Sequence, residues 1–292
     1  MPGRKSKIQF ESAEFGHCLQ QCSNSDIRDI LKVAVFAAKQ AGAVLLERHE
    51  KPHHIQHKGS IDIVTEADLA SEKLILDILY DTTPGIKIMS EESFSSYSNI
   101  PDKPVWIIDP LDGTTNFAHN FPWFSVSIAF FDNGKSQAGV IYCPMQNELF
   151  CSTLTGGAWL NNRRIKVSEV DILQKALVAT GFPYDVQKRP DSIVAMLKAI
   201  LTHSQGVRRP GAATLDLAYL ACGRLDAFWE VGLKPWDTAA GYLLVEEAGG
   251  TLSNFTGTPF SPFIPELLAS NNLLHGDLIK LLREFSTVSK QD

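Results

Sequence analysis

Val105-Trp106-Ile107-Ile108-Asp109-Pro110-Leu111-Asp112-Gly113-Thr114-Thr115-Asn116-Phe117, VWIIDPLDGTTNF, carries an apolar run straight into an acid, a proline, a second acid and a small polar turn. Ile107 and Ile108 predict a buried strand. Pro110 has no N–H to give to a ladder, so pairing is expected to stop there. Asp109 and Asp112 are then left at a strand terminus, where layered α/β enzymes usually place their ligands. Two ionised carboxylates held close together repel, and a bound divalent cation relieves that repulsion. The Gly113–Asn116 stretch adds main-chain N–H groups suited to an anion. Asp is also a common turn and cap residue, and this stretch alone leaves both readings open.

Acids elsewhere extend the pattern. Glu91 and Glu92 close the short strand IKIM as Asp109 closes its own. Asp237, in PWDTAAG, reads either as the cap of an Ala-rich helix or as a metal ligand carried at that helix's start. Asp68 carries the same ambiguity, because Thr65-Glu66-Ala67-Asp68 has the form of a capping box. Separate segments that offer only oxygen donors suit Mg²⁺ or Mn²⁺ better than zinc.

Outward from this centre the chain reads as layered α+β. The apolar positions Ile27, Ile30, Leu31, Ala34, Val35, Ala38, Ala41 and Leu45 recur at helical spacing. KPHHIQHKGSID reads as a polar loop, and the capping box after it opens a second helix with Ala67, Leu74, Ile75 and Ile78 inside. Phe124 to Phe131, QAGVIYCP and ELFCST read as strands, with Asp132-Asn133-Gly134 as a turn, so the middle of the chain is expected to be antiparallel sheet. AATLDLAYLACG and DTAAGYLLVEEAGG read as later helices stopping at glycine. Residues 1–25 lack periodicity and are expected to be a loose N-terminal extension to a single unit over residues 26–292.

Composition narrows the function classes. The 292 residues are 44% hydrophobic and 21% charged, with a formal net charge of −6. Lys and Arg are scattered rather than striped, so direct nucleic-acid binding is not expected. An acidic protein that handles phosphate needs local positive charge from metals or helix N-termini. Five cysteines, an odd number spread over a long chain, do not read as a disulfide framework and fit a reducing compartment. A zinc reading of Cys18 and Cys22 beside His17 lacks a second ligand pair at suitable spacing. No apolar run approaches the ~20 residues a membrane span requires, and no signal peptide is visible, so the cytoplasm is the expected location.

WIIDPLDGTTNF together with PWDTAAGYLLVEEAGG closely resembles the two signature motifs of the inositol monophosphatases, and DIVTEAD and the EES of Ser90 to Ser93 stand where that family has them. RRPGAATLDLAYLACGRLDAFWE resembles the bacterial branch. The resemblance runs from about residue 26 to the end. It implies an αβαβα sandwich that hydrolyses a phosphate monoester, myo-inositol 1-phosphate foremost, with two or three Mg²⁺ ions. It further implies that Glu91, Asp109 and the Leu111 carbonyl hold a first ion, that Asp109, Asp112 and Asp237 hold a second, and that Glu91 helps with a weaker third. Asp68 with Thr114 would orient and deprotonate the metal-bound water, and the Gly113 and Thr114 amides would grip the phosphate. Glu230 would bind substrate hydroxyls with help from the Ala213 amide. Lithium sensitivity, a homodimer and a protein partner in transcription are family traits as well. One departure is Ala212, where relatives usually carry Ser or Thr; Thr214 stands a little further on.

Other residues keep plainer readings. His53, His54 and His57 fit a solvated loop, and Lys58 is either a surface residue or a neighbour of the phosphate and metal loop. Arg208 and Arg209 either bind phosphate or pair with acids such as Asp216. Trp106, Trp123, Trp159, Trp229 and Trp236 read as core or subunit-contact residues. Sister phosphatases acting on fructose bisphosphate, histidinol phosphate or a nucleotide 3′-phosphate are the enzymatic alternatives, and a protein-binding scaffold is the non-enzymatic one.

Overall fold

The computed structural model of the protein describes residues 15–59, 61–93, 101 and 103–286; residues 1–14 of the expected extension and 287–292 of the expected main unit lie outside them. The apolar period beginning near Asp26 is realised as a 24-residue helix, but a shorter one precedes it. That first helix, α1 (Gly16–Gln21), lays Phe15 and Cys18 into the core beneath it. Six residues are too few for a helical period to be read from sequence. Residues 15–24 are therefore docked where looseness was expected. The Asn24 side chain accepts from the amides of Asp26 and Ile27 and starts α2 (Ser25–Arg48).

The stretch read as a polar loop contains a small antiparallel ribbon, β1 (Ile55–His57) with β2 (Ile63–Thr65). The expected capping box then opens α3 (Glu66–Thr82): Asp68 Oδ2 accepts from the Thr65 amide at 2.8 Å. Next come β3 (Lys87–Ser90), β4 (Val105–Asp112), the short α4 (Thr114–Ala118), β5 (Ser125–Asp132), β6 (Lys135–Cys143), β7 (Glu148–Thr153), β8 (Gly157–Leu160) and β9 (Arg163–Ile165). β3 to β9 form a seven-stranded sheet in sequence order, antiparallel except where β3 pairs parallel with β4. Its tight turns take left-handed residues, Asn133 and Gly134 in one and Asn161 and Asn162 in another.

The rest of the chain builds a second layer of sheet: β10 (Leu177–Thr180), α5 (Pro190–Leu201), β11 (Gly206–Arg208), α6 (Ala213–Ala221), β12 (Ala227–Val231), α7 (Pro235–Glu247), β13 (Thr251–Ser253), β14 (Glu266–Ser270) and α8 (His275–Leu282). The five strands lie in the order β11-β10-β12-β14-β13. α2 and α3 cover one face of the large sheet. α6 and α7 fill the space between the two sheets, while α5 and α8 cover the far face of the small one. The order of layers is thus αβαβα, as the resemblance implied. α7 shows why. Its residues Thr238 to Val245 are buried without a polar stripe, which only a helix enclosed on all sides sustains.

β4 also belongs to two cores. Trp106 and Ile108 face the α2–α3 layer, and Val105 and Ile107 face the α6–α7 layer. A strand covered on both faces reads as a continuous apolar run, which accounts for VWII.

Candidate active site

The end of β4 is where the sequence turns from burial to chemistry. Pairing does not stop at Pro110 as expected. It skips from Asp109↔Ser127 to Asp112↔Ser125, so Pro110 and Leu111 bulge opposite a single residue of β5 and the ladder resumes at Asp112. A bulge is where a strand tolerates a residue that lacks an N–H. Asp109 Oδ1 accepts from the Leu111 amide at 3.0 Å, and Ser71 of α3 donates its hydroxyl to the Pro110 carbonyl at 2.7 Å. Gly113 follows with φ of 93°, and a Cβ there would stand 2.9 Å from the Trp123 carbonyl oxygen. Both the conformation and the space therefore require glycine.

Parallel pairing of β3 with β4, with Ser90 opposite Ile108, brings Glu91 beside Asp109. The start of α7 brings Asp237 to the same place. Burial and then the charges of Glu91, Asp112 and Asp237 hold the Asp109 carboxyl well above its ordinary range. Asp237 is raised in the same way, by burial and then by Glu91, with Asp112 and Glu230 adding to it. Burial pushes Glu91 up to about 8 and Asp112 up to about 6. Four carboxylates from three elements, the end of β3, β4 and the start of α7, thus sense one another within one region of low dielectric.

The donor set fits a hard divalent cation: the side chains are all carboxylates, and the Leu111 carbonyl lies on the same turn. A positive group already faces it. The Lys58 ammonium, from the loop after β1, lies 3.2 Å from Glu91 Oε1 and 2.7 Å from Glu92 Oε1. Desolvation pulls this ammonium down, but the two glutamates outweigh it and raise it overall. Among the described residues no three His, Cys, Asp or Glu side chains close on one point as ligands of a single ion would. Each acid is instead drawn to a protein donor: Asp109 to Leu111, Asp112 to Thr214, Asp237 to the Lys234 amide at 2.7 Å, and Glu91 to Lys58. Mutual repulsion favours that spread arrangement. Cys18 and Cys22 likewise form no metal group with His17.

Asp68 and Asp237 both occupy the third position of their helices and cap them, so the structural reading holds for each. It does not exclude the chemical one. Asp68 uses Oδ2 for the cap and accepts from the Thr114 hydroxyl on Oδ1 at 2.9 Å. The same hydroxyl lies 3.1 Å from the Leu111 carbonyl. Burial raises the Asp68 carboxyl against the opposing pull of its Thr65 and Thr114 hydrogen bonds. The amides of Gly113 and Ala213 are directed at Asp112.

Glu230 on β12 lies further out. A Cβ at Gly181 would stand 2.0 Å from Glu230 Oε2, so glycine there makes room for this carboxylate. Burial pushes Glu230 up to about 8 against the pull of Arg209. Arg209 stacks over Phe182, with its guanidinium 5.1 Å from the ring centre, and its charge also reaches Asp216. A small cavity lined by Gly181, Phe182, Ile193, Met196 and Trp229 opens beside Glu230.

Several residues here have contacts that the sequence did not reveal. Thr214 bonds Asp112, Ser125 bonds Thr214 in turn, and Glu72 accepts from Ser90 and Ser93 below the acids. Asn116 Nδ2 donates to the carbonyls of Trp123 and Pro210, tying the motif to the segment that precedes α6. His53 is not a free loop residue but bonds Glu66, its ring 4.8 Å from that of Phe117.

A model of the inositol monophosphatase family matches residues 26–287. The inositol-1-monophosphatase of Synechocystis is 42% identical over 262 residues, covering 89% of this chain and 91% of that one. The Nus factor SuhB of Salmonella typhimurium is 44% identical over 230 residues, 78% of this chain and 86% of that one. Among solved structures, the inositol monophosphatase from Anabaena (Nostoc) superposes with a TM-score of 0.81 at 41% identity, covering 91% of this chain and all of the other.

Proposed function

The chain belongs to the inositol monophosphatase family, and on that premise we propose that it hydrolyses a small phosphate monoester, myo-inositol 1-phosphate foremost, in a Mg²⁺-dependent in-line displacement. The observation that carries this reading is the Thr114–Asp68 hydrogen bond set beside four mutually repelling carboxylates. Two or three Mg²⁺ ions per chain would be held by Glu91, Asp109, the Leu111 carbonyl, Asp112 and Asp237. Once bound, they supply charge neutralisation and a more acidic water, the largest contributions open to so slow a reaction.

The remaining chemistry belongs to the chain's own residues. Thr114 takes a proton from the attacking water and passes its own to Asp68 Oδ1. Burial moves that carboxyl towards the operating pH, which suits a base. The Gly113 and Thr114 amides hold phosphoryl oxygens. Glu230 accepts hydroxyl protons of the alcohol, the Ala213 amide donates to a hydroxyl oxygen, and together they fix its orientation. Lithium would inhibit by competing for the acids of the second ion.

A screen of phosphate release from a panel of monoesters, with chelator and lithium as controls, tests the proposal. Rapid turnover of fructose bisphosphate, histidinol phosphate or a nucleotide 3′-phosphate without any of myo-inositol 1-phosphate would move the assignment to a sister activity.

A second reading is favoured by the relative named a Nus factor: this chain also engages a protein of the transcription apparatus. Asp112→Asn should abolish hydrolysis and leave such a contact intact. Among the described residues no helix is long and apolar enough to cross a membrane. We place the protein in the cytoplasm as a homodimer, without direct contact to nucleic acid.

A further inference from the structure

Asp112 is held from one side by a pair of hydroxyls, and it is the pair that carries the inference. Thr214, near the start of α6, donates both its amide and its hydroxyl to a single oxygen, Asp112 Oδ2, at 2.8 Å and 2.5 Å. Ser125 opens β5 directly across the ladder from Asp112, and its Oγ lies 2.6 Å from Thr214 Oγ1. Both hydroxyl residues are fully buried.

Each hydroxyl has one proton to give, which fixes the direction of the chain. If Thr214 donates to the carboxylate, Ser125 must donate to Thr214. The series then runs Ser125 to Thr214 to Asp112 Oδ2, and each bond polarises the next. Hydrogen bonds to an ionised acceptor are about twice as strong as neutral ones, so the arrangement favours the carboxylate form of Asp112. It also ties two layers to one side chain: the large sheet through Ser125 of β5 and the bulged end of β4, and the middle helices through Thr214 of α6.

We propose that Thr214, backed by Ser125, is a positioning residue that sets the orientation of the Asp112 carboxylate and so the affinity of the chain for divalent cations. The chain lacks a hydroxyl at Ala212, two positions earlier, and carries this one at Thr214 instead. Partners that orient a ligating group are commonly worth about 10–100-fold in metal affinity. The inference rests on the proposed ion-binding role of Asp112, and its test separates the two.

Mn²⁺ binding to the full chain without substrate is measured by electron paramagnetic resonance and calorimetry for wild type, Thr214→Val, Thr214→Ser, Ser125→Ala and Asp112→Asn. Valine keeps the shape of threonine and leaves the main-chain donors of Gly113, Ala213 and Thr214 in place. Thr214→Val is expected to weaken binding about tenfold or more. Thr214→Ser should restore it to within about twofold of wild type, and Ser125→Ala should fall between them. A purely structural hydroxyl would lower the melting temperature without this rescue of ion affinity. Binding unchanged in both Thr214→Val and Ser125→Ala, while Asp112→Asn loses it, overturns the inference alone. Absence of Asp112-dependent binding in wild type overturns the functional reading beneath it. Should Thr214→Val fail to fold, the serine and Ser125→Ala variants decide the matter, because wild-type affinity in Ser125→Ala contradicts the relay.

Discussion

The Thr114 hydroxyl donates to Asp68 Oδ1 at 2.9 Å from 46 positions away, while Asp68 Oδ2 accepts the Thr65 amide at 2.8 Å. One carboxylate thus starts a helix and meets the motif at the end of β4. A helix-start acid is rigid because its cap fixes it, and rigidity is what a group that must receive a proton requires.

Thr114→Val and Asp68→Asn should each lower kcat by about 10²–10⁴ with little change in the far-ultraviolet spectrum. Because the two act as a unit, the double variant should lose little more than the worse single one. Steady-state kinetics on the three proteins checks this. Full additivity would show that they act separately.

Gly113→Ala should destabilise the protein by more than the about 1–2 kcal/mol that a left-handed backbone alone costs an L residue. The added Cβ also meets the Trp123 carbonyl at 2.9 Å, so the loop must shift. Thermal unfolding reads the loss, and activity should fall with it, since the same turn carries Thr114.

Glu230→Gln should act on substrate orientation rather than on the proton transfer. KM is expected to rise about tenfold while kcat changes by less than about threefold. A variant that lost kcat and kept its KM would place Glu230 in the chemical step instead.

Asp216 supplies a pH dependence. Both its carboxylate oxygens are buried without a hydrogen-bond partner among the described residues. Burial, followed by the charges of Glu230 and Asp112, holds its carboxyl well above the ordinary 3.8 despite the pull of Arg209. Between that ordinary value and the folded one, the folded chain keeps a proton that the unfolded chain releases, so stability falls as pH rises. Asp216→Asn removes the effect. The melting temperature of the variant relative to wild type should therefore climb from pH 4 upward, and a constant difference across pH would contradict the assignment.

The parts of the fold that declared themselves in sequence are those with a period or a fixed turn. The apolar spacing of α2, the capping box at Thr65 and the Asn133-Gly134 turn all appear as read. α1 and the β1–β2 ribbon did not show, because six and three residues are shorter than any period that would mark them. Pro110 was legible as an interruption, but not as a bulge, since the return of the ladder at Asp112 depends on what β5 offers opposite. In the site, acids at element ends were visible because a carboxylate beside an apolar run is unusual. Ser125 and Glu72 were not, and Thr214 showed only as a hydroxyl two positions beyond Ala212, with no partner assigned to it. A hydroxyl in a small-residue helix or at a strand's first position looks like any other until tertiary contacts set it against Asp112. For Asp68 and Asp237 the choice between cap and chemistry was a false one at the level of geometry, because a carboxylate has two oxygens and the cap at Asp68 uses only one.

The most direct test of the central claim is phosphate release from myo-inositol 1-phosphate by chelator-treated protein as Mg²⁺ is added back. The account predicts no release without the ion and a steep, saturable return with it, lost in Asp109→Asn. Undiminished turnover in the presence of chelator would contradict it.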